Sequence, residues 1–170
     1  MENNNNDLLY TIFQNVNAWL HFVEAKNAAL IAFNIAVLSA LMGSNLFDIN
    51  RILYSTIAVG LLISTICALF SFKPINTWLD KKENPNIKSN LLHYAYIATL
   101  NQDEYLKKIY EDYLNVASKN LNTISQIEKD YSEEIIQNSR IALRKQNIFR
   151  KAFYIDIMVL CVMIALIICA

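Results

Sequence analysis

From residue 28 to residue 47 the chain carries no charged side chain, and after only Asp48, Ile49, Asn50 and Arg51 it enters a second charge-free run, 52–72. A helix needs about 20 residues to cross the apolar core of a bilayer, and both runs are of that length. The four-residue link makes them an antiparallel helical hairpin. A third apolar run, 152–170, is interrupted only by Asp156. Core helices of soluble proteins rarely stay uncharged for so long, so the reading is an integral membrane protein with three transmembrane helices.

Composition agrees. Hydrophobic residues make up 55% of the 170, charged residues 18%, and there are only two glycines and two prolines. Turn residues are too scarce for a β-rich fold, so the expected class is all-α. Zero formal net charge gives no electrostatic ground for DNA or RNA as a partner. Cys67, Cys161 and Cys169 all lie in apolar runs and read as packing residues rather than a disulfide framework.

No cleavable signal is expected. Met1 and Glu2 lead into an asparagine run where a basic region would be needed. Residues 1–27 instead read as an amphipathic helix at the cytosolic interface. Leu9, Ile12, Phe13, Val16, Trp19, Leu20 and Val23 recur at helical spacing, and Trp19 and Phe22 suit the headgroup level. Of the 15 Lys and Arg residues, 13 fall between 73 and 151. By the positive-inside rule that region and the N-terminus are cytosolic. The expected organisation is 1–27 interfacial, 28–47 first span, 52–72 second span, 73–151 a cytosolic helical bundle and 152–170 third span.

Within the cytosolic region Pro74 and Pro85, with Asn84 and Asn86, bracket a break. Asn101 followed by Asp103 and Glu104 predicts a helix cap. Leu106, Tyr110, Tyr113, Ala117 and Leu121 form one apolar face, and Ile124, Ile127, Tyr131 and Ile135 a second. No residue between Ser132 and Ala170 would stop a helix.

No catalytic inventory assembles. His21 and His93 lack partners at zinc spacing, the two glycines lie in spans, and no phosphate-cradling loop is present. The expectation is no enzyme, no metal and no cofactor. Polar residues at the membrane carry more information: Glu24 and Lys26 at the mouth of the first span, Asn34 inside it and Asp156 inside the third. Such groups snorkel to the interface or face other helices, water or a pore. With Trp19 they are the candidate membrane-coupling residues. Tyrosine rings can stack on a nucleobase and a guanidinium can meet a phosphate. The candidate ligand residues are therefore Tyr94, Tyr96, Tyr105, Arg140, Arg144 and Lys145, against the alternative of core aromatics and topology-setting charges.

The segment Trp19-Leu20-His21-Phe22-Val23-Glu24-Ala25-Lys26, entering a span with Asn34, resembles the opening signature of the bacterial Pycsar effector transmembrane family. Lys73-Pro74, Tyr96-Ile97-Ala98, Glu104-Tyr105-Leu106 and Asn138-Ser139-Arg140-Ile141-Ala142, then Lys145 and Ala152, follow in the same order. Glu24 stands where that pattern has aspartate, and Ile75 where a basic residue is usual. The resemblance implies an antiphage effector of the inner membrane. It would respond to cyclic CMP or cyclic UMP made by a pyrimidine nucleotide cyclase, act as a homo-oligomer in the lipid bilayer, and impair the membrane of the infected cell. Rival readings are a membrane effector of another nucleotide-signalling conflict system and a non-enzymatic membrane scaffold. The scaffold would show the same hairpin but no cyclase-dependent toxicity.

Overall fold

The computed structural model describes residues 2–74, 79, 88–116 and 124–169, and every element among them is helical. In chain order these are α1 (Glu2–Met42), α2 (Leu46–Ile49), α3 (Arg51–Leu69) with a 3-10 turn over Phe70–Phe72, α4 (Tyr94–Ile97), α5 (Gln102–Asp112) and α6 (Gln126–Cys169). The chain is all-α. Among the described residues, Asn6–Met42 and Arg51–Phe72 are long and apolar enough to cross a membrane.

Helix boundaries follow local chemistry. No glycine or proline lies between Glu2 and Met42, so the N-terminal segment and the first apolar run form one continuous helix rather than two elements. The run expected to reach residue 47 stops being α1 at Met42. Gly43, Ser44 and Asn45 make a turn in which the Ser44 hydroxyl donates to the Leu41 carbonyl at 2.7 Å. The Asn50 side chain then caps α3 by accepting from the Leu53 amide. Pro74 has no amide hydrogen to continue the helix, and Lys73 before it is already extended at ψ 124°. The acids after Asn101 complete a capping box: the Glu104 amide donates to Asn101 and Glu104 accepts from the Asn101 amide. Helix α5 ends where Asn115 takes φ 52° and the Val116 amide reaches back to the Tyr110 carbonyl at 3.0 Å, a left-handed C-terminal closure that asparagine tolerates.

The chain divides into two compact units. One gathers residues 1–22 and 75–144, the other 23–74 and 145–170. In the first, Leu9, Ile12 and Val16 of α1 pack with Leu91, Ile97, Leu100, Tyr105, Ile109, Ile135 and Ile136. Leu9, Ile12 and Val16 of the N-terminal apolar stripe are thus covered by protein. Leu106, Tyr110 and Ile124 form a second cluster. Tyr113, expected on that face, is exposed, because α5 has ended by then. Ile127 is 49% exposed and lies off the buried side of α6. That side runs through Glu128, Ser132, Ile135, Ser139 and Ala142, a stripe at helical spacing whose polar members hid it in the sequence. Glu128 is buried because it accepts from the Tyr110 hydroxyl and from the Ser125 amide and hydroxyl. Ala117, Leu121, Pro85, Asn84 and Asn86 lie outside the described residues.

In the second unit α1 and α3 run antiparallel in one register. It pairs Leu30 with Ala68, Asn34 with Ser64 and Leu41 with Ile57, positions whose numbers share one sum. Helix α6 lays Ala152 against the first of these layers and Val159 against the last. Gly60 lets α6 come close: a Cβ there would lie 2.5 Å from Cγ2 of Val159.

Candidate functional site

Two constellations hold the singled-out residues. In the unit of residues 1–22 and 75–144, Trp19 packs at 5.5 Å on Tyr94 and 5.9 Å on His93, and His93 stacks on Tyr94 at 4.7 Å. The three rings are held by short bonds. His93 caps α4 by accepting the Ala95 amide on Nδ1, and Asn15 donates to the Leu92 carbonyl at 3.0 Å. Beside them is a hollow of about 360 Å³ lined by Asn15, Ala18, Trp19 and Phe22. Its wall is aromatic with one amide, a surface suited to a flat ring.

The other candidate ligand residues of this unit take different places. Tyr105 is fully buried in the core. Arg140 gives its guanidinium to the carbonyls of Leu79, Ala98 and Leu100, the last at 2.9 Å, which ties residue 79 and the segment after α4 to α6. Tyr96 is half-buried and Arg144 exposed. Burial raises the Tyr94 phenol above its ordinary value, and burial with the nearby Tyr113 raises Tyr105 further. Both rings are therefore neutral donors throughout the physiological range.

The second constellation lies in the unit of residues 23–74 and 145–170. Lys145, 11% exposed, is bound to the Glu24 carboxylate, itself 34% exposed, and its Nζ stands 6.0 Å from the Phe72 ring centre. Lys26 donates to Gln146 at 2.9 Å and lies 4.9 Å over Phe149. Lys145, a candidate ligand residue, is thus brought together with two of the candidate membrane-coupling residues, Glu24 and Lys26. Deeper, Asn34 donates to Ser64 Oγ at 3.1 Å, and Ser64 donates to the Ala152 carbonyl at 3.1 Å. Asp156 adjoins both side chains and is 2% exposed. One turn above Leu30, Asn27 is buried, and the hairpin register sets it level with Ser71.

Asn34 and Asp156 of this polar column stand out in the sequence, whereas Asn27 on α1 and Ser64 and Ser71 on α3 escaped notice there. Asn27 and Asn34 are seven residues apart, as are Ser64 and Ser71. That repeat, read antiparallel, was the signal that could have found them. A seven-residue step is about 10 Å of helix, so the column is two polar layers divided by the Leu30, Ala68 and Ala152 layer. Among the described residues no group of three or more His, Cys, Asp or Glu side chains is placed to hold a metal ion.

Comparison with known families supplies the wider context. The family described as the Pycsar effector protein domain matches residues 8–170. The chain belongs to the Pycsar effector family. Neither the curated proteins nor the solved structures contain a match to this Pycsar effector. The matched region takes in both units, so the ring cluster and the polar column belong to one family domain. Membership with two candidate membrane helices makes the chain an antiphage membrane effector.

Proposed function

We propose that this Pycsar effector responds to a cyclic pyrimidine nucleotide, cyclic CMP or cyclic UMP, and impairs the inner membrane so that the infected cell stops growing. The family match over residues 8–170 carries the reading. The chain is a non-enzymatic responder in it, and a pyrimidine nucleotide cyclase is its functional partner. In this account 28–47, 52–72 and 152–170 span the bilayer and the N-terminus is cytosolic. The third span is supported by the exposure pattern of α6: Ala152, Asp156 and Val159 are buried along one side, while Phe153, Tyr154, Ile157, Met158, Leu160 and Val162 are outward and apolar, as lipid requires.

The ligand site is assigned to the unit of residues 1–22 and 75–144. Tyr94 and Tyr96, with Trp19 and His93, supply ring faces, and the exposed Arg144 supplies a charge for the phosphate. Arg140 and Tyr105 position that surface. A ligand drives a change only by binding one state more tightly than another. The states proposed are two assemblies of a homo-oligomer, since three spans of one chain make a poor pore. Helix α6, unbroken from Gln126 to Cys169, is the element along which the signal travels, and the Glu24–Lys145 pair with Lys26 is the contact that changes.

The test is co-expression with an active or an inactive pyrimidine nucleotide cyclase, read by a membrane-potential dye. Depolarisation with the active cyclase alone is expected. Equal potential in both strains at equal effector expression overturns the reading in favour of a scaffold.

A further inference from the structure

Asp156 is the one residue of formal charge in the apolar part of α6, and its surroundings show what it lacks. Both carboxylate oxygens are buried without a hydrogen-bond partner, and so is the amide oxygen of Asn34. Asn34 and Ser64 are fully buried beside it. Ser64 commits its hydroxyl hydrogen to the Ala152 carbonyl and receives the Asn34 amide. The unsatisfied atoms are thus all acceptors, two oxygens of Asp156 and one of Asn34, on side chains that adjoin the same serine.

Among the described residues no ion pair reaches Asp156. Residues 27–47 of α1 and its following turn hold only neutral side chains, as do 52–72, and Asp156 stands alone between 152 and 169. The charged residues that bound these stretches in sequence are Glu24 and Lys26 on α1, Asp48 and Arg51 in the hairpin link, Lys73 after α3, and Lys145, Arg150 and Lys151 on α6. Lys145 is bound to Glu24 and Lys26 to Gln146. An unpaired carboxylate in a dry interior is strongly unfavourable, and buried polar groups are satisfied as a rule.

We propose that Asn34, Ser64 and Asp156 form a buried, oxygen-lined site that takes up one small monovalent cation, either a hydron or a dehydrated sodium ion. One positive charge balances the single carboxylate. A divalent ion would leave an excess positive charge beside a single carboxylate. Asn34 Oδ1 serves both forms, as acceptor of a carboxyl O–H or as ligand to the ion. All three side chains lie in the unit of residues 23–74 and 145–170, so the site stands whether or not the nucleotide reading does.

The experiment uses the full chain in lipid nanodiscs at neutral pH, in sodium chloride and in choline chloride. Infrared spectra are taken of the wild type and Asp156→Asn, together with equilibrium binding of radioactive sodium. A hydron gives a protonated-carboxyl stretching band in both salts that is lost in Asp156→Asn. Sodium gives specific sodium retention by the wild type that Asp156→Asn loses, and the carboxyl band appears only in choline. An ionised carboxylate in both salts with no retained sodium overturns the proposal. If the variant fails to insert, carbon-13 labelling of the aspartate carboxyls in the wild type shifts the band and so shows that it comes from an aspartate. Asn34→Leu, which removes the one amide oxygen, shifts the band or abolishes sodium retention. A spectrum and retention unchanged by Asn34→Leu remove Asn34 from the site.

Discussion

Gly60→Ala isolates the contact that seats α6 on the hairpin. The added methyl would lie 2.5 Å from Val159 Cγ2, about 1 Å inside the optimal carbon–carbon separation of about 3.5 Å. Val159 is buried and β-branched, so its rotamer in a helix is stiff and it cannot easily swing away. Overpacking of this kind costs about 1–3 kcal/mol. Replacing a mid-helix glycine by alanine returns about 1 kcal/mol of helix propensity. The net expectation is a loss of up to about 2 kcal/mol. Val159→Ala alone loses packing, but combined with Gly60→Ala it opens the space the new methyl needs. The double variant should therefore be more stable than the sum of the single losses by about 1–3 kcal/mol, well above the roughly 0.5 kcal/mol scatter of independent sites. Unfolding in mixed detergent micelles, followed by circular dichroism, measures all four proteins. If Gly60→Ala is as stable as the wild type and the double variant is additive, Val159 does not pack on Gly60. The support for a third span beside the hairpin then fails.

Four further outcomes are expected. Asn101→Ala removes the capping box of α5 and costs about 1 kcal/mol, with faster amide exchange in Gln102–Asp112 as the readout. Arg140→Lys cannot span the carbonyls of Leu79, Ala98 and Leu100 and costs about 1.5–3 kcal/mol, measured by the denaturation midpoint. Glu24→Gln leaves Lys145 without its ionic partner; because Glu24 is a third exposed, the stability loss stays within about 1 kcal/mol, while cyclase-dependent depolarisation changes if the pair gates. Alkaline titration provides a pH test. The phenols of Tyr94 and Tyr105 hold their protons in the folded state above the ordinary tyrosine value of 10.0. Their contribution to stability is therefore complete below pH 10 and declines above it, as the unfolded chain ionises first. Absorbance at alkaline pH should show both rings ionising later than exposed tyrosines.

Much of the architecture was legible because helix formation here is governed by long apolar runs and few breakers. The hairpin, the Asn101 cap and the unbroken α6 could all be read from residue order. Where the reading slipped, a tertiary contact or a turn decided the matter. Gly43, Ser44 and Asn45 ended α1 early. The stripe from Leu9 to Val16 is covered by Leu91, Ile97 and Tyr105, distant in sequence. The inward side of α6 was hidden because Glu128, Ser132 and Ser139 look like surface residues until their partners are known. Asn34 and Asp156 stood out as polar residues in apolar runs, but Ser64 did not: a serine in a span is ordinary until the register of α1 against α3 sets it opposite Asn34. The ligand candidates were chosen by side-chain chemistry alone. Such reasoning cannot separate a half-buried ring, such as Tyr96, from one in the core, such as Tyr105.

The central claim is that a cyclic pyrimidine nucleotide acts on this chain to breach a membrane. Purified full-length protein in proteoliposomes holding a potassium diffusion potential tests it without any other cellular component. Addition of cyclic UMP or cyclic CMP should collapse the potential, cyclic AMP should not, and Arg144→Ala should weaken the response. A potential that persists with both pyrimidine nucleotides, in vesicles shown to contain inserted protein, contradicts the account.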